Sequence, residues 1–355
     1  LDYIDKAEAR KADLFTQFAL AAVAEAIKSA EINLDTIDKT EVGVIWGCGQ
    51  GGMTTFEEQL VEFYKGDGTP HFNPYLIPKM ITNIASGVIS IKYGFQGVNF
   101  GTVTACASSN TAMIEALNMI RWGKAKMFIT GGSEAPLSPG PVGGFSAMKA
   151  LSHRNDDPSA ASRPFDKNRD GFVMGEGAGA LVIEELEHAL DRGANILAEL
   201  VGGAMTGDAY HLSATHPEGE GAYRGMKLAL RDAGLTIADV DYINAHATST
   251  PMGDISETIA INRLKADLQT KFKISATKSM TGHLLGGAGG IEAIASIMAI
   301  NTGIVPPTIN TTEIDPKIPA GLDIVTGAAI NHKVDVAMSN TFGFGGHNAI
   351  AVFKR

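Results

Sequence analysis

Three features of the sequence predict an α/β protein. Short apolar runs alternate with helical stretches along almost the whole chain, the pattern of sheets covered by helices. No low-complexity segment or short-period repeat interrupts that alternation. A longer echo is present instead. GFVMGEGAGALVIEEL (171–186) matches TFGFGGHNAIAVFKR (341–355) in character, each an aromatic, a glycine-rich turn and an apolar strand. A long Ala/Ile/Met-containing helix also precedes a strand in each part, over 110–130 and 288–309. The echo predicts two similar halves, 1–190 and 191–355, divided near Asp191–Ala194 and bringing helix N-termini to one shared centre.

In chain order, the apolar runs predict strands at Val42–Trp46, Val98–Thr104, Met127–Thr130, Ala178–Glu184, Ala198–Met205, Tyr242–Ala245, Lys273–Ala276, Leu322–Val325, Val336–Met338 and Asn348–Phe353. Helices are predicted over Lys11–Ala30, Met53–Lys65, Asn110–Trp122, Tyr223–Ala233, Ile255–Leu264 and Ile291–Asn301. The third is the clearest, because Met113, Ala116, Leu117 and Ile120 form an i, i+3, i+4, i+7 stripe. Residues 133–176 are polar and rich in Pro and Gly. That is long for a structureless connection, so an ordered insertion near a site or a subunit interface is expected.

Composition narrows the function classes. Of 355 residues, 45% are hydrophobic and 19% charged, which supports a large core and argues against disorder. A net charge of −10 speaks against general nucleic-acid binding. Two cysteines make no disulfide framework and fit a reducing, cytoplasmic setting. No apolar run reaches the length of about 18 residues that a membrane span needs. Without HExxH or CxxC, no metal site is expected. The opening LDYIDKAEARKADLF resembles neither a signal nor a transit peptide.

One cysteine stands at a telling place. TACASSN (104–110) puts Cys106 where a strand passes into a helix. Free N–H groups and the helix dipole at that end stabilise a thiolate and lower its pKa. The other reading is a small buried hydrophobe. His246 ends a strand in NAHATSTP, and His283 precedes an Ala/Ile-rich helix in TKSMTGHLLGGAGG. Either histidine taken alone reads more readily as a surface or hydrogen-bonded structural residue than as a catalyst. SNTFGFGGHN (339–348) sets Phe344 among glycines, suited to an oxyanion hole with a hydrophobic gate or to a plain glycine-rich hairpin.

Together these motifs, with ALSHRNDDPSAASRPFDKNRDGFVMGEGAGALVIEE, resemble the β-ketoacyl-acyl carrier protein synthases of the elongating type I/II group, most of all the synthase II type. The resemblance covers essentially the whole chain. It lacks only the strand and loop with which family members open, so the N-terminus reads as truncated. It implies the thiolase fold, two similar halves in αβαβα layers. It also implies a cofactor-independent acyltransferase: acyl transfer to Cys106, then decarboxylative Claisen condensation with malonyl-carrier protein, adding two carbons. His246 and His283 would support decarboxylation, and Lys278 would pair with Glu292. Phe344 would act as a gate, its N–H joining that of Cys106 in the oxyanion hole. Thr248 and Thr250 would contact pantetheine, with Phe145 and Gln50 on the substrate side. The implied partners are an acidic acyl carrier protein and a second copy of the chain. Lys149 matches a basic docking position, and Lys6, Arg10 and Lys11 share one helical face by i, i+4 spacing as further docking candidates, although a plain solvated charge face is the ready reading of that trio, since Glu8 interrupts it.

Three departures from the family pattern stand out. Ala247 replaces a usual glycine, so a methyl is expected to crowd the pantetheine tunnel. Gly287 replaces a usual alanine without expected consequence. Gln50 replaces an apolar residue at the acyl-pocket wall, where an unpaired buried amide costs about 1–3 kcal/mol. Gln50 is therefore expected either to shorten or polarise the pocket, or to pair harmlessly with backbone across a dimer. A biosynthetic thiolase would need a second cysteine near the C-terminus, and Cys48 lies early. Initiating synthases and chalcone-type enzymes use Asn where this chain has His283. A chain-length-factor-like partner would generally lack Cys106. A polyketide or aryl-polyene ketosynthase shares the chemistry and stays open.

Overall fold

In the computed structural model, which describes residues 3–266 and 271–355, the chain opens with helices Lys6–Lys11 (α1) and Leu14–Ser29 (α2). Strand Val42–Gly47 (β1) and helices Met53–Lys65 (α3), Leu76–Met80 (α4) and Ile84–Tyr93 (α5) follow. Next come Asn99–Thr102 (β2), Ser108–Arg121 (α6), Met127–Glu134 (β3), Pro139–Ala147 (α7) and Gly177–Glu184 (β4). Leu186–Asp191 (α8) leads to Glu199–Gly207 (β5), Glu220–Asp232 (α9), Tyr242–Asn244 (β6), Pro251–Lys265 (α10) and Lys273–Ser275 (β7). Lys278–Thr281 (α11), Ala288–Thr302 (α12), Ile304–Val305 (β8), Ile330–Asn331 (β9), Val336–Gly343 (β10) and His347–Lys354 (β11) complete the chain.

The two large sheets repeat one topology. The first has the order β2-β1-β3-β4, with β4 alone antiparallel. The second contains β7-β6-β10-β11 in the same sense, with β11 antiparallel and β5 added outside it. Helices α6 and α12 lie between the sheets, each touching strands of both. α2 and α5 cover the outer face of the first sheet, and α9 with α10 that of the second. The result is the αβαβα layering of the thiolase fold.

Sequence explains why the layers close. Phe15, Leu20 and Val23 of α2 meet Val42, Val44 and Trp46 of β1 in one core. Met226, Leu230, Ile243, Ile261 and Ile350 form the corresponding core of the second half. Each such side chain contributes about 1.5–3 kcal/mol on burial. In the middle layer, a Cβ on Gly179 of β4 would lie 2.4 Å from the Gly290 carbonyl carbon of α12. Only glycines let that strand and helix approach so closely.

The structure departs from expectation in specific places. The helix expected over Lys11–Ala30 breaks at Ala12–Asp13, because the Asp13 side chain caps α2 through the Phe15 N–H (3.3 Å). Leu322–Val325 does not form a strand and makes only a single bridge, Ile274 to Ile324. Val98–Thr104 contracts to β2, since the chain turns early toward Cys106. The helices α4, α5 and α7 were not expected. Segment 133–176 contains α7 and is anchored to the second half by buried charge. Arg169 pairs with Asp254 (3.3 Å) and Asp315 (2.9 Å).

Candidate active site

Cys106 sits in the turn between β2 and α6. Ala105 takes a left-handed φ of 49°, a strain of order 1–3 kcal/mol for a non-glycine residue. The turn is held by the Ser108 hydroxyl, which donates to Ala105 O (2.6 Å) and accepts from Thr104 N–H (3.0 Å). The end of β10 presses on it. A Cβ on Gly343 would stand 2.6 Å from Thr104 O and 3.0 Å from Cys106 N. This contact sets Phe344 beside the Cys106 turn, and the N–H groups of Phe344 and Cys106 both act to lower the thiol's pKa.

The thiol contradicts the expected low pKa. Burial pushes it up to about 12, Glu134 adds to the rise, and Lys278 with the two N–H groups only partly opposes them. Cys106 precedes the first turn of α6 and is 8% exposed, packed with Phe172 and Leu285. Desolvation outweighs the helix end here.

The two imidazoles come from the second half. His246 follows β6, and its ring centroid is 5.2 Å from that of His283, nearly perpendicular to it. Glu257 of α10 fixes the His246 backbone, accepting from His246 N–H (3.0 Å), Ala247 N–H (2.8 Å) and the Asn340 amide (3.1 Å). The His283 backbone N–H donates to Val173 O (2.7 Å), which pins the residue to the segment before β4. Lys278 lies 3.3 Å from His246 Nδ1 and forms a buried ion pair with Glu292. An ammonium can only donate, so Nδ1 accepts and the ring proton sits on Nε2. Burial, reinforced by the Lys278 charge, pushes both imidazoles well below their ordinary pKa. Both are neutral at pH 7.

Aromatic rings close the chamber. Phe172 stands edge-on to His283 (5.4 Å), and Phe145 contacts Phe172 (5.3 Å) and Phe344 (6.0 Å). Phe342 packs against His246 (5.5 Å). Phe172 packs with Cys106 and also meets His283, so one ring links the buried sulfur to the pair of neutral imidazoles, an arrangement that suits acyl transfer coupled to carbanion formation.

Comparison with known proteins agrees. Residues 1–189 match the model of the beta-ketoacyl synthase N-terminal domain, and residues 197–312 that of the C-terminal domain. The chain belongs to the β-ketoacyl synthase family. It is 49% identical to a 3-oxoacyl-[acyl-carrier-protein] synthase 2 of Synechocystis, over 99% of this chain and 84% of that protein. Among solved structures, a beta-ketoacyl synthase from Burkholderia phymatum superimposes with a TM-score of 0.91 at 35% identity, over 100% of this chain and 85% of that one. A type II polyketide ketosynthase, solved with its acyl-carrier protein and a hexaketide, gives 0.89 at 34% identity, over 96% and 84%.

The remaining expected residues of this β-ketoacyl synthase fall in distinct places. The Thr248 and Thr250 hydroxyls meet at 3.1 Å just past His246. Gln50 is half-buried, its N–H donates to Glu134 (3.0 Å), and its Oε1 has no hydrogen-bond partner among the described residues. Lys149 is exposed at the end of α7, four residues beyond Phe145. Arg10 and Lys11 are exposed on α1, where Lys11 reaches the Tyr75 ring rather than any chamber residue. Ala247 is fully buried, and its methyl packs in the second core.

Sequence reasoning missed Glu257 and Glu134. Glu134 ends β3 and accepts N–H groups from Gly49 (2.8 Å), Gln50 (3.0 Å) and Gly286 (2.9 Å). Both are acidic residues at otherwise buried positions, and that is the signal that marks them.

Proposed function

We propose that this β-ketoacyl synthase is a 3-oxoacyl-acyl-carrier-protein synthase that elongates fatty acyl chains by two carbons. The observation that carries the reading is the neutral His246–His283 pair, with Nδ1 of His246 engaged by Lys278, linked through Phe172 to the buried sulfur of Cys106.

Cys106 attacks the acyl-carrier thioester as its proton passes to a neutral imidazole. The oxyanion is held by the Cys106 and Phe344 N–H groups. Collapse leaves acyl-Cys106 and returns the proton to the departing carrier thiol. Malonyl-carrier protein then binds, with Thr248 and Thr250 along its pantetheine. As the bond to the carboxylate breaks and CO2 leaves, imidazole N–H groups hold the enolate oxygen. A neutral imidazole does this without protonating the carbanion. The carbanion attacks acyl-Cys106, and collapse releases the sulfur, which takes up a proton. Phe344 gates the chamber, and Gln50 sets the far end of the acyl pocket.

The carrier docks on Lys149 with Arg10 and Lys11, basic positions on a chain of net charge −10. The functional unit is a homodimer. The β2 edge has no partner within the described residues, and the adjoining Val103 is 54% exposed, which supports pairing with a second copy. The halves divide at 190/191, and two free cysteines support a reducing, cytoplasmic setting. No helix among the described residues is long and apolar enough to cross a membrane. A polyketide ketosynthase role is the second reading, favoured by the likeness to the carrier-bound ketosynthase. Incubation with a series of acyl-carrier thioesters and mass spectrometry tests both. A mass gain on Cys106 with saturated acyl chains supports fatty-acid elongation, gain only with polyketide or polyene chains supports the second reading, and no gain overturns both.

A further inference from the structure

The helix that carries Phe145 is built to be weak. α7 reads PGPVGGFSA, with only Pro141 buried. A Cβ on Gly143 or Gly144 would meet nothing within 4 Å. No described neighbour demands glycine at either place, yet glycine weakens a helix relative to alanine. The N-terminus also lacks its usual cap. Ser138 holds the capping position, but its buried hydroxyl has no hydrogen-bond partner among the described residues. Pro139 has no N–H to offer. The Gly140 N–H goes instead to another helix, to both carboxylate oxygens of Glu57 on α3 (3.1 and 3.0 Å). The C-terminal end is tied differently, since Ala150 pairs with Phe145 O (3.1 Å) and with Phe172 N–H (2.9 Å). α7 is thus hinged at the chamber side and held by one carboxylate at the other.

We propose that Glu57 is a positioning residue that clamps the N-terminus of α7 and so keeps Phe145 seated over Cys106. Through Phe145 it also holds the seat of Phe344, which contacts that ring. The consequence for condensation rests on the synthase reading, whereas the clamp itself does not.

Alkylation by iodoacetamide, read at each cysteine by mass spectrometry, tests the clamp in the full chain. Cys48 is fully buried and serves as the internal reference. Glu57→Ala is expected to alkylate at Cys106 about fivefold faster, the scale of a lost cap, with Cys48 unchanged. Glu57→Gln keeps one acceptor oxygen and is expected to fall between. Gly143→Ala with Gly144→Ala is expected to slow Cys106 alkylation in the otherwise native chain and to restore the native rate when added to Glu57→Ala. Equal Cys106 rates in native and Glu57→Ala protein would overturn the proposal. So would equal acceleration at both cysteines, or no effect of the alanine pair. If the native chain accepts no acyl group, the synthase reading falls while the alkylation comparison still decides this one.

Discussion

Lys278 Nζ stands 3.3 Å from His246 Nδ1 and is also the ion-pair partner of Glu292. One buried cation therefore fixes the tautomer of an imidazole and neutralises the carboxylate behind it. It also helps to keep both histidines uncharged. Lys278→Ala removes all three effects and strands Glu292. Malonyl decarboxylation, followed as CO2 release, is expected to fall at least about 100-fold, the usual scale for losing positioned acid–base function. Stability is expected to fall by about 3–5 kcal/mol, as for breaking a buried ion pair. Decarboxylation at the native rate would show that the contact is structural only.

Burial of the Cys106 thiol gives a pH signature. With its pKa near 12, the thiol is protonated at neutral pH. Iodoacetamide alkylation at Cys106 is expected to climb about tenfold per pH unit from pH 7 to pH 10 without levelling, because thiolate is the reactive form. A plateau near pH 7 would restore the helix-end thiolate that the sequence suggests.

The histidines give the opposite signature. Both have folded pKa values below the ordinary 6.5, so neither gains a proton as pH falls through that value. Decarboxylation measured from pH 8 down to about pH 6 is expected to stay flat with respect to imidazole titration. A loss centred near pH 6.5 that persists in Glu257→Gln protein would mean that at least one ring is charged when it should be neutral.

Glu257 holds the His246 loop by two accepted hydrogen bonds and accepts a third from the Asn340 amide of β10. Burial raises its pKa to about 7 despite them. Glu257→Gln leaves one acceptor oxygen for those donors and turns an NH2 toward the rest. Decarboxylation is expected to drop about tenfold, while acylation of Cys106 holds, because the loop carries His246 and not the sulfur. Equal loss in both half-reactions would point to general damage.

The unpaired Gln50 Oε1 predicts a change in acyl preference. Gln50→Ile is expected to shift acylation of Cys106 toward longer chains by about tenfold, from about 1–3 kcal/mol of relieved desolvation. An unchanged chain-length profile would remove Gln50 from the selectivity account.

Much of the fold and site was legible because it depends on local pattern. α3 runs over Met53–Lys65, the bounds read from the sequence. Cys106, His246, His283 and Phe344 all lie where an element ends within a distinctive motif. What the sequence hid is set by distant neighbours. The thiol pKa depends on Phe172 and Leu285, which arrive from the insertion and the second half. Glu134 acts by accepting N–H groups from loops remote in sequence, and Glu257 by reaching back to His246 and Ala247 and across to Asn340 on β10, and no local spacing announces either. The misread helix start at Asp13 has the same origin, since that carboxylate also binds Thr55 on α3.

The central claim is that the sulfur and the two imidazoles serve one chamber. Single turnover of isolated acyl-Cys106 protein with malonyl-carrier thioester tests it most directly. The expected result is one CO2 for each acyl group lost from Cys106, with product two carbons longer. Release of CO2 while the acyl mass stays on Cys106 would contradict it.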